Sequence, residues 1–299
     1  MKPTVHIHTN SKQFLGAVIS AHSLRRNSRS PDAFEVEILR VEDYPIFREH
    51  EGRKFLRAGS WRTWKNDDLQ SFTPLRLMPP GLMGYRDRSL VIDPDIFAVG
   101  DVFELLSRDM AGKSIMARER PGHNGKANYI ASSVMLLDCS KLRHWDFEKQ
   151  FTSMFEGKLD YEDWNTLSSE PPDSIGFIEP VWNDFDRLTA ETKLLHNTKR
   201  RTQPWKTGLP IDFTNRVPLV SKLLPENGIR LWGKYKKHPD PRQEALFFGF
   251  LKECVNEGKI SRKEIETEMR HNHLRHDSLV LMDRAPEVDS LLDDVRRLH

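Results

Sequence analysis

Two aspartates stand two residues apart in Ile92-Asp93-Pro94-Asp95, directly after a short apolar run, Ser89 to Ile92. Carboxylates that close together repel, and a hard divalent cation with oxygen ligands relieves the repulsion. An apolar run bounded by charged residues is the pattern of a buried central strand. In an open α/β sheet, ligands bind just outside the carboxyl ends of such strands. Taken alone, Asp-Pro-Asp is equally an ordinary polar turn, because both residue types favour turns. His196 ends a second apolar stretch, Lys193 to Leu195, and an imidazole nitrogen beside two carboxylate oxygens suits Mn2+. Lys199, Arg200, Arg201 and Lys206 follow with no acid between them, either as a solvated loop or as a set able to hold phosphate.

Those residues need elements to position them. Thr4 to His8 alternates as a strand, Lys12 to Asn27 carries apolar residues at helical spacing, and Phe34 to Val41 alternates again. Strand, helix and strand with short connections open a parallel α/β sheet. Further strands are expected at Ser114–Ala117, Ile130–Leu137 and Ile175–Ile178. Helices are expected from Thr73 until Pro79-Pro80-Gly81 ends the turn, from a capping box at Asp101 and Glu104, at Phe147–Phe155 and at Tyr161–Leu167. Residues 42–71, with Trp61 and Trp64 among Arg and Lys, read as a short helix plus loop. From about residue 211 the pattern is helical: Gln243–Val255, a capping box at Ser261 and Glu264 opening a helix to about Leu274, and Pro286–Leu298. The expected organisation is a body at 1–210 and a helical extension at 211–299.

The stretch from Leu90 to Leu106, with Asp93, Asp95, Gly100, Asp101 and Glu104, resembles the metal-binding segment of glycosyltransferase family 8 and related GT-A enzymes. Other segments are similar to that family in the same order. They are Val5 to Asn10 with the helix holding Ser20-Ala21-His22-Ser23-Leu24, then Phe72 to Leu77, then Tyr129 to Asp138. Pro180-Val181-Trp182-Asn183 and Leu194-Leu195-His196 with Gln203-Pro204-Trp205-Lys206 complete the set. The likeness spans roughly residues 4–206 and does not reach the tail.

The resemblance implies a GT-A-like mixed sheet flanked by helices, binding a nucleotide sugar, with a C-terminal helical extension. It implies a metal-dependent glycosyltransferase that moves a hexose from a nucleoside diphosphate sugar, a UDP-sugar, onto an acceptor hydroxyl with retention. Asp93, Asp95 and His196 would hold Mn2+ or Mg2+. Thr9 and Asn10 would line the nucleotide pocket, and Arg76, Lys199, Arg200 and Lys206 would contact the donor. Asp163, matching the first residue of the family's D-Q-D segment, and Arg76 would stand at the reacting sugar. Trp164 replaces the Gln of that segment, and Ala131 stands where the family has an Asn before its G-V strand. Trp164, Trp182 and Trp205 are candidates for stacking on sugar rings, with core packing as the plainer role.

Composition bounds the alternatives. In 299 residues, 46 Lys+Arg face 44 Asp+Glu, and that near balance argues against a dedicated nucleic-acid binder. Sixteen Phe and seven Trp mark a folding chain rather than a disordered one. No apolar run approaches the roughly 20 residues that span a bilayer. Cys139 and Cys254 form no disulfide framework, which makes the cytoplasm the default compartment. Partners are then the donor and an acceptor (saccharide, glycolipid or small molecule), with at most peripheral membrane association and room for homo-oligomers. Lys234, Lys236 and Lys237 near Trp232 and Tyr235 offer one candidate peripheral surface, a solvated loop being the plainer role. A metal-dependent nucleotidyltransferase usually carries a Gly-rich basic loop after its first strand, and Thr9 to Gly16 lacks one. A family member that binds a sugar or a partner without turnover is the non-catalytic alternative.

Overall fold

The computed structural model describes residues 2–122, 128–215, 229–230 and 233–297. In chain order the strands and α-helices begin with β1 (Thr4–Thr9), α1 (Phe14–Arg26), β2 (Glu35–Arg40), α2 (Pro45–His50), β3 (Lys54–Arg57) and β4 (Ser60–Thr63). Then come α3 (Pro79–Leu82), β5 (Arg88–Ile92), β6 (Ile96–Ala98), α4 (Phe103–Leu106), β7 (Ile115–Arg120) and β8 (Tyr129–Asp138). α5 (Phe147–Phe155), α6 (Tyr161–Asn165), β9 (Ile175–Phe177), β10 (Asp184–Phe185) and β11 (Leu194–His196) follow. The last are β12 (Thr214–Asn215), β13 (Ile229–Arg230), α7 (Pro241–Asn256), α8 (Arg262–Arg270), α9 (Ser278–Arg284) and α10 (Val288–Arg297).

The main sheet runs β2-β1-β5-β8-β7-β9. β1 pairs in parallel with β2 and β5, whereas β8 runs antiparallel to both β5 and β7, so the sheet is mixed. Alternation along the central strands sends side chains to two cores. Leu90 and Ile92 join Val134 and Leu136 beneath α1 and α4, while Val91 joins Met135 and Leu137 beneath the aromatic cluster of α2, β3, Trp64 and α5. The mixed α/β sheet flanked by helices is the expected class.

A small second sheet, β10-β11-β6, sets His196 opposite Ile96 and lays the end of β11 against the turn that follows β5. α1 lies between sheet and tail. Leu15 and Ile19 pack with Phe97 and Trp205 against Leu246, Phe247 and Phe250 of α7, in a core shared by α8, α9 and α10. Residues 1–210 and the tail helices thus meet across a common apolar cluster.

Several elements differ from expectation for local reasons. Residues 42–71 hold α2 and a β3–β4 hairpin, whose turn puts Ala58 at φ 51° and Gly59 at φ 68°. Asp160 accepts hydrogen bonds from both turn N–H groups, which stabilises a turn that lacks an Asn-Gly signal. Pro79 and Pro80 open α3 rather than ending a helix, since the first helical turn needs no backbone donor. Asp101 caps Phe103, but Glu104 pairs with Lys193 instead of closing a box. The Ser261–Glu264 box does form, and α9 is a helix that the periodicity missed. Trp232 and Leu298 lie outside the described residues, and Tyr235 is buried rather than part of a surface. Among the described residues, no helix is long and apolar enough to cross a membrane.

Candidate functional site

The site is built at the carboxyl end of β5. Ile92 is the last ladder residue, and Asp93 N–H still donates to Ser133 C=O on β8 before the chain turns at Pro94. Gly16 of α1 makes room for that turn: a Cβ there would lie 2.9 Å from the Pro94 carbonyl oxygen. The turn is tied to β11 as well, because Asn197 N–H donates to Asp95 C=O.

These restraints bring Asp93, Asp95 and His196 together, with one ligand atom from each lying within 4.8 Å of the others. His196 Nε2 stands 3.3 Å from Asp95 Oδ1 and 4.0 Å from Asp93 Oδ2
. On the far side of the ring, Nδ1 is 2.8 Å from Asn183 Oδ1, and the Asn183 amide nitrogen donates to Ser133 Oγ. An amide so oriented accepts from Nδ1–H and leaves the Nε2 lone pair facing the carboxylates, the tautomer a metal ligand requires. Gln203 Nε2 donates to Asp95 Oδ2 at 3.2 Å. The donor set therefore fits a divalent ion that accepts mixed oxygen and nitrogen ligands.

Asp93 has a competing partner. Arg76 Nη2 lies 2.7 and 2.6 Å from its two oxygens and Nε lies 3.0 Å from Oδ1, while Nη1 donates to Ser132 Oγ and Asn165 Oδ1, both at 2.9 Å. All five guanidinium N–H groups are directed at protein acceptors, so Arg76 has no donor left for a substrate. In this arrangement it positions Asp93, from the wall of the smaller cleft. His8 Nε2 also lies 2.6 Å from Asp93 Oδ1. Burial alone would raise the Asp93 carboxyl, but Arg76, His8 and His196 outweigh it and hold it well below the usual carboxylate range. Burial pushes His8 down against the opposing pull of Asp93, so a neutral ring donates its Nε2–H and its Nδ1 is left without a partner.

Asp93, Asp95 and His196 open into a cleft of about 290 Å³, walled by Tyr129, Ser132 and Phe185. Arg120 lies 4.3 Å from the Phe185 ring centroid. A larger hollow of about 980 Å³ adjoins it, and Leu69, Gln70, Glu162 and Arg200 line both. Lys199 and Arg201 reach the larger hollow. Arg200 is half-buried, 5.6 Å from the Phe213 ring centroid.

Other expected residues lie elsewhere. Thr9 and Asn10 are buried and line neither hollow, because residues 66–71 close over the end of β1. Asn10 Nδ2 is held there by Asp68 C=O and Ser71 Oγ, each at 3.0 Å. Lys12 and Gln13, next along the chain, do line the hollows. Asp163 is exposed on α6 and faces away, since that helix turns Tyr161 and Trp164 into the core and Glu162 and Asn165 toward the cleft. Lys206 is 1% exposed and spends its ammonium on Asp212 Oδ2 and Asn272 C=O, both at 2.9 Å. Trp164, Trp182 and Trp205 are core residues and line neither hollow. Residues the sequence reasoning missed are His8, Ser132, Asn165 and Gln203. His8 alternates with His6 on β1, a signal that a charged partner at the neighbouring strand end would have made readable.

No protein-family model and no curated protein sequence matches the chain. Among solved structures it is similar to the glycosyltransferase GlyE of Streptococcus pneumoniae TIGR4, at 15% identity and TM-score 0.48, over 69% of this chain and 56% of that one. It is similar to the galactosyltransferase LgtC in complex with donor and acceptor sugar analogues, at 14% identity and TM-score 0.48, over 68% and 89%. A third is mouse xyloside xylosyltransferase 1, at 13% identity and TM-score 0.41, over 66% and 98%. The matched region thus spans 56% of the length of GlyE.

Proposed function

We propose that the chain is a glycosyltransferase, moving a hexose from a nucleoside diphosphate sugar, a UDP-sugar, to an acceptor hydroxyl with the help of Mn2+ or Mg2+. The observation that carries this is the convergence of Asp93, Asp95 and His196 at the carboxyl edge of the sheet, with the His196 tautomer set by Asn183. Bound there, the ion would supply positive charge to offset the negative charge developing on the leaving diphosphate.

The chain's own groups have defined tasks in this scheme. Arg76 keeps Asp93 ionised and aligned, while Gln203 orients Asp95 and Asn183 orients the His196 ring. Arg200, which lines both hollows, and Lys199, on the larger one, hold phosphate oxygens. Tyr129, Phe185 and Arg120 wall the sugar. Three carboxylates line the smaller cleft: Asp93 and Asp95 belong to the ion, and Glu162 pairs with Arg57. No carboxylate is then assigned to attack the sugar. The favoured course is front-side transfer with retention, in which the leaving phosphate oxygen takes the acceptor's proton and catalysis comes from positioning and electrostatics. Residues 1–210 carry the chemistry and 211–299 brace α1 behind the Asp93–Asp95 turn. The free, buried Cys139 and Cys254 fit a reducing, cytoplasmic setting.

The test is Mn2+-dependent turnover of nucleotide sugars by the parent and by Asp95→Ala. Asp95 is the better choice because removing Asp93 strands a buried guanidinium. Loss of turnover in a variant with an unchanged melting profile is the expected result; full turnover would refute the proposal. The Arg76–Asp93 pair favours one second reading, a protein that binds a nucleotide sugar without turnover, since it engages both oxygens of a ligand carboxylate. Donor hydrolysis that appears only with Mn2+ separates the two.

A further inference from the structure

A second cluster of ligand-type side chains lies in the tail, away from the cleft. Glu268 and His271 are three residues apart at the end of α8 and so share a helix face. His271 caps the helix, and Asn272 then takes a left-handed conformation at φ 59°, which turns the chain back on itself. His273 returns to the same face: its N–H donates to Glu268 C=O at 2.9 Å, and its Nδ1 lies 2.8 Å from Glu268 Oε2. The His271 and His273 ring centroids are 5.6 Å apart, and one ligand atom from each of the three residues lies within 4.8 Å of the others.

The turn is anchored on both sides. Lys206 Nζ donates to Asn272 C=O, and Arg275 N–H donates to Trp205 C=O at 2.8 Å. Glu268 and His273 are half-buried and share a crevice with Gly16 and Pro94, next to Lys12 and Gln13, which also line the hollows. His271 is exposed. Metal–ligand bonds of about 2.0–2.1 Å put tetrahedral ligands roughly 3.3 Å apart, so closure from separations of up to 4.8 Å needs a movement of at most about 1.5 Å, which the exposed ring can supply.

We propose that Glu268, His271 and His273 form a second metal site, for Zn2+ or a similar borderline transition ion, which locks the turn at the end of α8. Two imidazoles and one carboxylate select such ions over Mg2+ and Ca2+, and three protein ligands leave a fourth position for water. The site does not depend on the function proposed above.

The experiment uses the full chain without a histidine tag, stripped of metal, carrying Asp95→Ala so that the cleft site is weakened and read separately. Calorimetric titration with Zn2+ should find one equivalent bound, in a form that excess Mg2+ does not displace. Adding His271→Ala should weaken that binding by at least about tenfold, the lower end of what even an outer-shell partner is worth. His271 is exposed, so its loss leaves the fold intact, and Glu268→Gln serves as an independent ligand variant. Absence of Zn2+ binding in the Asp95→Ala chain, or equal affinity with and without His271, would overturn the proposal.

Discussion

Replacing Arg76 with Met isolates what the guanidinium does. Arg76 and Asp93 both have side chains 10% exposed, and the pair is bidentate at 2.6–2.7 Å. Met keeps much of the volume and the flexible stem but leaves a buried carboxylate whose one remaining close partner is the His8 Nε2–H. Breaking a buried pair by removing one member typically costs about 3–5 kcal/mol. With roughly 2–4 °C per kcal/mol in large domains, the midpoint should fall on the order of 10 °C at pH 7. Arg76→Met with Asp93→Asn removes the stranded charge and should recover more than half of the loss, a coupling that a double-mutant cycle reads directly. Mn2+ should stabilise Arg76→Met more than the parent, because a ligand carboxylate once engaged by a guanidinium is freed for the ion. The assay is thermal unfolding of the four chains of the cycle, with and without Mn2+. An Arg76→Met midpoint within about 1 kcal/mol of the parent, with no coupling to Asp93, would refute the reasoning.

Three further outcomes follow from the same geometry. Gly16→Ala puts a Cβ 2.9 Å from Pro94 O, so overpacking of about 1–3 kcal/mol should exceed the helix-propensity gain of about 1 kcal/mol; a more stable variant with unchanged Mn2+ affinity would contradict this. Asn183→Leu removes the acceptor that fixes the His196 tautomer and should weaken Mn2+ binding about 10–100-fold by calorimetry, with the fold retained. Burial, aided by Asp138 and Asp87, pushes Cys139 from the usual 9.0 up to about 12. Burial likewise pushes Cys254 up to about 12, with Lys259 opposing. The unfolded thiols ionise near pH 9 while the native ones stay protonated, so this stability is complete below pH 9 and is lost as pH rises toward 12. The slope is about 1.4 kcal/mol per pH unit per thiol. Urea midpoints at pH 8 and 10 check it, and native thiols that react readily at pH 8 would count against it.

The parts of the site legible in the sequence are those governed by local pattern. An apolar run that stops at Asp93-Pro94-Asp95 and another that stops at His196 are strand ends, and strands of one sheet bring their ends to one edge. What was not legible depends on contacts between distant segments or on side-chain phase. Residues 66–71 cover Thr9 and Asn10, and nothing near β1 announces that lid. Asp163 and Asn165 differ by half a helical turn on α6, enough to send one to solvent and the other to Arg76. The β3–β4 hairpin escaped notice because Ala58-Gly59 carries no turn signature, and its stabilising partner, Asp160, lies about a hundred residues away in sequence. Glu268, His271 and His273 look like scattered polar residues until the left-handed Asn272 folds them together.

Charge balance at the cleft limits where an anionic donor would lie. Asp93 and Asp95 each bring one negative charge and Arg76 one positive, so the cluster carries a single net negative charge before any ion arrives. A divalent ion reverses that to a single positive charge, which is less than a diphosphate needs for neutrality. Further cations must come from elsewhere, and Arg76 and Lys206 are already committed inside the protein. Arg200 lines both hollows, with Lys199 and Arg201 beside it on the larger one. If the chain binds such a donor, its phosphates would be drawn to the passage between the ion and this basic run, leaving the sugar to the smaller cleft, beside Arg120, and the base to the larger hollow. Under the proposed function, residues 199–201 would then hold the phosphates, while Arg76 holds the ligand set in shape.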